Sequence, residues 1–129
     1  PKHSEFEVSL RGVVGKGKFQ VLVAKKQMDV LPVVLSVYSS AQRAPKAHEV
    51  LCCRPDTPWP QIDALLARCA LFRGVFCIAN IERLNYQKQQ QLVARVKSKG
   101  AISAGARLAI VVLAESDAAE LALHVLREL

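Results

Sequence analysis

Apolar and polar positions alternate at the start of the chain. Phe6, Val8 and Leu10 share one face while Glu7 and Ser9 share the other, which predicts a half-buried strand over residues 5–10. Gly12, Gly15 and Gly17 mark a turn. Residues 18–24 alternate again, with Phe19, Val21 and Val23 together, so the two segments predict a β-hairpin of open register. The run Val33–Tyr38 after Pro32 predicts a third strand. Residues 39–48 are polar, contain Pro45 and read as a loop or boundary.

From Val50 the pattern changes. Short apolar runs at Val50–Cys53, Val75–Glu82 and Arg107–Leu113 are separated by segments of helical period. This order implies parallel strands joined by crossover helices. The first helix is predicted over about 58–72, with Thr57 or Asp56 as its cap. Ile62, Leu65, Leu66 and Cys69 fall at i, i+3, i+4, i+7 and form its buried face. The second helix is predicted over about 86–99, with Leu92, Val93 and Val96 inward and Gln89–Gln91 as solvated surface. Ser116 or Asp117 caps a last helix, 117–128, with Ala118, Leu121, Ala122 and Val125 inward. The expected architecture is an α/β domain in two regions, a β-rich segment 1–48 and an α/β core 49–129, together one domain.

Composition narrows the classes. Hydrophobic residues make up 51% and aromatics only 5%, so aliphatic packing must build the core. No run of 18 apolar residues is present, which argues against a helical membrane span. The start, Pro1–Glu5, has neither Met nor a signal-peptide pattern, and the chain reads as a piece of something longer. Cys52, Cys53, Cys69 and Cys77 lack the C-x-x-C spacing of zinc sites and sit in apolar runs, so they read as buried thiols in a reducing compartment. The formal charge is +7, and residues 1–48 carry eight Lys or Arg against three acids. A basic front end suits nucleic acid, phosphates or an acidic protein, and equally a lysine-rich sheet edge that resists pairing. The aromatics are not interleaved with the basic residues, which leaves a nucleic-acid stacking platform poorly supported.

Candidate chemistry is incomplete wherever it begins. Gly12-Val13-Val14-Gly15-Lys16-Gly17-Lys18 has the skeleton of a phosphate-binding loop, whose glycines let backbone N–H groups curl around phosphates. The Ser or Thr that should follow to hold magnesium is Phe19, and a strand follows where a helix is needed. A glycine-rich hairpin turn is the simpler reading. Asn80-Ile81-Glu82 follows an apolar strand, where nucleotide hydrolases place acids that hold magnesium and polarise water. Asn80 is a poor ligand for a hard cation. Glu82 has the chemistry of a general base, but without a cradle it reads as a surface or loop carboxylate pairing with Arg83. Arg107 precedes the last strand, and Glu115 and Ser116 follow it, where a sensor of the γ-phosphate would sit; Ser116 is more simply a cap. His3, His48 and His124 lack metal-ligand spacing. No catalytic, cofactor-binding or metal residue is assigned.

Val50 to Thr57, Ile62 to Cys69 with its Arg68-Cys69 pair, and Val75 through Asn85-Tyr86 resemble a segment of the mysterin family. So do Ser9–Gly12, Gln20–Lys25 and Leu31–Tyr38. These are giant ubiquitin ligases that combine a dynein-like ring of AAA+ modules with a RING finger. The resemblance covers roughly residues 6–93. It implies a parent protein that transfers ubiquitin and hydrolyses ATP at some modules, with ATP, Mg and Zn as cofactors. It further implies a cytoplasmic location associated with lipid droplets, and links to innate immunity and angiogenesis. The implied partners are neighbouring AAA+ modules, a ubiquitin-conjugating enzyme and substrate proteins. Phe19 and Asn80 depart from an active nucleotide site, so the resemblance implies a partial or degenerate AAA+-type core acting as scaffold, with no cofactor of its own. A small basic domain that binds nucleic acid or phosphorylated groups, and a self-contained nucleotide hydrolase, are the alternatives.

Overall fold

The computed structural model describes residues 19–129, together with the backbone of residues 8–11. The elements run β1 (Val8–Arg11), β2 (Phe19–Ala24), α1 (Gln27–Ser40), β3 (Val50–Cys52), α2 (Trp59–Leu71), β4 (Gly74–Ala79), α3 (Tyr86–Lys97), β5 (Ala106–Leu113) and α4 (Ala119–Leu126). Single 3₁₀ turns at Ala47–Glu49 and Ile81–Arg83 precede β3 and follow β4. The strands form one sheet in the order β1-β2-β5-β4-β3. β1 is antiparallel to β2, and the other four strands are mutually parallel.

The apolar runs make interior strands because both faces of the sheet are covered. Along β5, Leu108, Ile110 and Val112 enter one core while Ala109, Val111 and Leu113 enter the other. β4 divides in the same way, with Phe76 and Ile78 opposite Val75, Cys77 and Ala79. Strands buried on both sides read as continuous hydrophobic runs, which is why β4 and β5 stand out in the sequence. Right-handed crossovers that run in opposite directions lie on opposite faces. The connection from β2 to β3 crosses β5 and β4 one way and lays α1 on one face. The return through β4 to β5 lays α2 and α3 on the other, where α4 joins them.

The hairpin expectation is met in part. β1 and β2 pair from Val8↔Ala24 to Arg11↔Val21, which fixes the register. β2, however, is an interior strand between β1 and β5, with Phe19 and Val21 in one core and Leu22 and Ala24 in the other. The hairpin is therefore built into the core sheet.

The predicted strand at 33–38 is a correction. Those residues belong to α1, a 14-residue helix in the region expected to be β-rich. Val30, Val33, Val34, Val37 and Tyr38 recur at helical spacing and bury against β2, β5 and β4. Pro32 sits inside the helix and removes one backbone bond, at a cost of about 3 kcal/mol. Burial of an aliphatic side chain contributes roughly 1.5–3 kcal/mol, so five inward side chains outweigh the proline and the β-branched run. The Tyr38 hydroxyl, fully inside, donates to the Val75 carbonyl oxygen at 2.8 Å.

Smaller corrections concern caps and faces. α2 starts at Trp59 after Pro58; Thr57 instead closes the turn before it, its Oγ1 accepting from the Arg54 N–H at 2.7 Å. In α4 the inward residues are Ala119, Ala122, Val125 and Leu126, whereas Leu121 is exposed. The predicted and observed faces differ by one position, and an alanine- and leucine-rich run satisfies both.

Candidate functional site

In open parallel sheets, ligands bind beyond the carboxyl ends of the strands, at the point where adjacent connections leave for opposite faces. Here that point lies between β2, which leads to α1, and β5, which leads to α4. A nucleotide hydrolase needs a glycine-rich loop between the first of these strands and its helix. The link present is two residues, Lys25 and Lys26, between Ala24 and Gln27. It contains no glycine, and too little backbone to curl around a phosphate.

The chain's own groups also take up backbone donors at this point. Glu115, just beyond β5, accepts the Gln27 N–H at 2.9 Å through Oε2. Gln27 is the first residue of α1, so a carboxylate from the chain sits where a helix N-terminus favours an anion. Asp29 Oδ2 accepts the Lys26 N–H at 3.3 Å on the same turn. The Ala114 N–H donates to the Ala24 carbonyl at 2.8 Å and extends the β2–β5 pairing past the strand end.

The end of β4 is built differently. Asn80 adopts the left-handed conformation, with φ 60° and ψ 44°. Asparagine tolerates that region better than most residues, so its presence there has a backbone reason. Its Nδ2 donates to Glu82 Oε2 at 3.1 Å. Glu82 Oε1 accepts the Leu113 N–H at 2.9 Å, inside the protein. Glu82 lies in the connection after β4 but is only 4% exposed and, among the described residues, makes no ion pair with Arg83, which corrects the surface alternative and the expected pairing. It ties the end of β4 to the end of β5.

Gln89 corrects another expectation. The polar run predicts a solvated side chain, yet Gln89 is buried, and its Nε2 donates to the carbonyls of Leu84 at 2.8 Å and Ile81 at 3.3 Å. Asn85 caps α3 by accepting the Lys88 N–H at 2.7 Å, and Lys88 Nζ donates to the Thr57 carbonyl at 2.6 Å. The connection 80–85 is therefore fastened at both ends. An amide preceded by a capping asparagine and followed by an apolar stripe was the available signal for Gln89.

The remaining candidates scatter. Gly12–Lys18 lie outside the described residues, as does His3. Arg107 lies at the amino end of β5, away from the crevice. Ser116 Oγ accepts the Ala118 N–H at 3.1 Å and shapes the turn before α4. His48 lies in the turn before β3, and His124 on α4. Among the described residues no three His, Cys, Asp or Glu side chains are grouped to hold a metal. Cys53, Cys69 and Cys77 are buried as expected, whereas Cys52 is exposed at the edge strand. Burial pushes the Cys69 thiol up to about 12, and Cys53 and Cys77 likewise, with neighbouring thiols adding to both and Glu82 to Cys53.

A magnesium–nucleotide group does not fit these residues. The glycine-rich cradle is replaced by a two-residue link, Asn80 stands at an acid position, and both oxygens of Glu82 are engaged inside the protein.

Four parallel strands in the order β2-β5-β4-β3, with a connecting helix on one face and three helices on the other, make an α/β domain that is consistent with an AAA-type core. The family model of the RNF213 AAA domain matches residues 20–127, and the chain belongs to that family. The match spans β2 through α4 and agrees with the resemblance to the AAA+ region of mysterin; β1 lies before it. No curated protein sequence matches the chain. No helix among the described residues is long and apolar enough to cross a membrane.

Proposed function

We propose that this domain is a non-catalytic AAA+-type module of a giant ubiquitin ligase with ATPase activity, and that it serves as scaffold between neighbouring modules. The observation that carries this reading is the two-residue connection from β2 to α1, at the crevice beside β5. The Lys25–Lys26 link leaves no phosphate loop, and the Glu115 carboxylate takes the first N–H of α1. Such a module holds its neighbours in register and passes their movements on without hydrolysing ATP itself. The ATP, Mg and Zn of the parent act at other modules and at the RING finger. Its partners are the adjoining modules, and the ubiquitin-conjugating enzyme and substrates engage elsewhere in the parent, in the cytoplasm and at lipid droplets.

Isothermal titration calorimetry with Mg-ATP tests the reading. No saturable binding is expected up to millimolar nucleotide. Binding at micromolar concentration, lost on substitution of Glu82 or Lys26, overturns it.

A further inference from the structure

We infer that the outward face of α1 docks a helix of a partner module, one that carries an apolar stripe and ends in acidic residues. This rests on the scaffold reading and names the surface that reading requires. α1 is apolar on both sides. Its inner side packs on the sheet, and its outer side presents Met28, Leu31 and Leu35, which are 76%, 63% and 44% exposed. These lie at i, i+3, i+7 and form one stripe. A helix that is apolar all round is composed for burial on both sides. By contrast, α3 carries Lys88, Arg95 and Lys97 along its length.

The rest of the outer face of α1 is nearly free of charge. From Gln27 to Ser40 the only Asp, Glu, Lys, Arg or His is Asp29, and its carboxylate is bonded to the Lys26 N–H. Ser36 and Ser40 turn their hydroxyls back to the carbonyls of Val33 and Val37, at 2.6 and 2.9 Å. They offer small, satisfied surfaces that permit close approach of a second helix.

Charge at the two ends selects the occupant. At the amino end, Lys26 is exposed and makes no ion pair among the described residues. The nearby acids Asp29 and Glu115 are bonded to backbone N–H groups. At the carboxyl end, Arg43 is neutralised by Glu49 at 2.7 Å. The face therefore asks for an apolar helix with a carboxylate at the Lys26 end. A second copy supplies no free one: antiparallel pairing of the stripe, Met28 opposite Leu35, sets Lys26 against Val37, and the one acid on α1, Asp29, is bonded to the Lys26 N–H. A membrane-surface helix carries basic residues along its polar face, and α1 has none along its length.

The test is site-specific photo-crosslinking in the natural polypeptide that contains these residues. Leu31 is replaced by p-benzoylphenylalanine, and in a second protein Leu121, exposed on α4, is replaced in the same way. Crosslinks from position 31 are expected to a helical segment of the same polypeptide outside residues 1–129, with apolar residues at helical spacing and Asp or Glu at one end. Lys26→Glu is expected to lower that yield roughly fivefold, and Lys26→Arg to keep it. Both positions are exposed, and an unchanged circular-dichroism melt excludes unfolding as the cause. Crosslinks from position 31 only to lipid, only to a second copy, or to nothing overturn the inference. If position 121 then still reaches other modules, the scaffold reading stands; if neither position does, both fall.

Discussion

Two connections leave the same end of the sheet, and they are held in opposite ways. The link between β4 and α3 is fastened by buried bonds: Glu82 to Leu113, Asn80 to Glu82, and Gln89 to Ile81 and Leu84. The link between β2 and α1 is two exposed residues, and the bond that fastens it, from Gln27 to Glu115, is exposed too. In a working nucleotide site the second is the phosphate loop and the first carries the metal-binding acids. Here the residues at the acid end are bonded inside the protein, and the connection at the phosphate end is two residues long.

The largest effect should come from the buried link. Glu82→Ala leaves the Leu113 N–H without its acceptor inside the protein, where an orphaned donor costs about 1–3 kcal/mol. The expected loss is about 2 kcal/mol in urea unfolding. Glu82→Gln keeps an acceptor oxygen, and its loss should be less than half of that. If Glu82→Ala loses no more than a surface substitution, the internal brace is not there and the contrast between the links fails.

The thiol beside that brace gives a pH test. Cys53 is held protonated in the folded protein, pushed up to about 12 by burial, then by Cys52 and Glu82. The unfolded chain releases the proton near 9. The folded value lies above the unfolded one, so the stabilisation is complete below pH 9 and is lost as pH rises toward 12. At pH 10 one such thiol accounts for about 1 kcal/mol. Cys69 and Cys77 act in the same direction. Urea melts at pH 8 and pH 10 should therefore show a loss that Cys53→Ala reduces by about 1 kcal/mol. An unchanged loss in that variant would mean that the thiol beside Glu82 is reached by water.

How much of this was legible in the sequence depends on one helix. β4, β5 and α2 announced themselves through continuous apolar runs and an i, i+3, i+4, i+7 face. α1 did not, because a β-branched run after proline carries strand propensity, and only packing on the sheet reverses it. Gly12–Lys18 matches the skeleton of a phosphate loop by residue type alone, and nothing in that pattern locates the connection that precedes α1. Once 27–40 is a helix, the connection that matters is Lys25–Lys26. The crevice bond from Glu115 spans 88 residues, and no local pattern carries that information. Asn80 was visible as a departure from an acid, but its reason, a left-handed backbone, is conformational.

The smallest effect belongs to the exposed link, and it separates two meanings of the Glu115 contact. Glu115→Ala removes one carboxylate from the N-terminus of α1, where capping and dipole interactions contribute about 0.5–1 kcal/mol. The contact is exposed, so the loss should shrink further at high salt. Stability by urea unfolding at low and high salt measures it. The same variant is then titrated with Mg-ATP. If the missing phosphate loop disables the site, removing Glu115 restores nothing, because two lysines without glycine cannot present a run of N–H groups to a triphosphate. If Glu115→Ala gains nucleotide binding, the carboxylate is a plug in a site that is otherwise competent, and the β2 end is as well built as the β4 end.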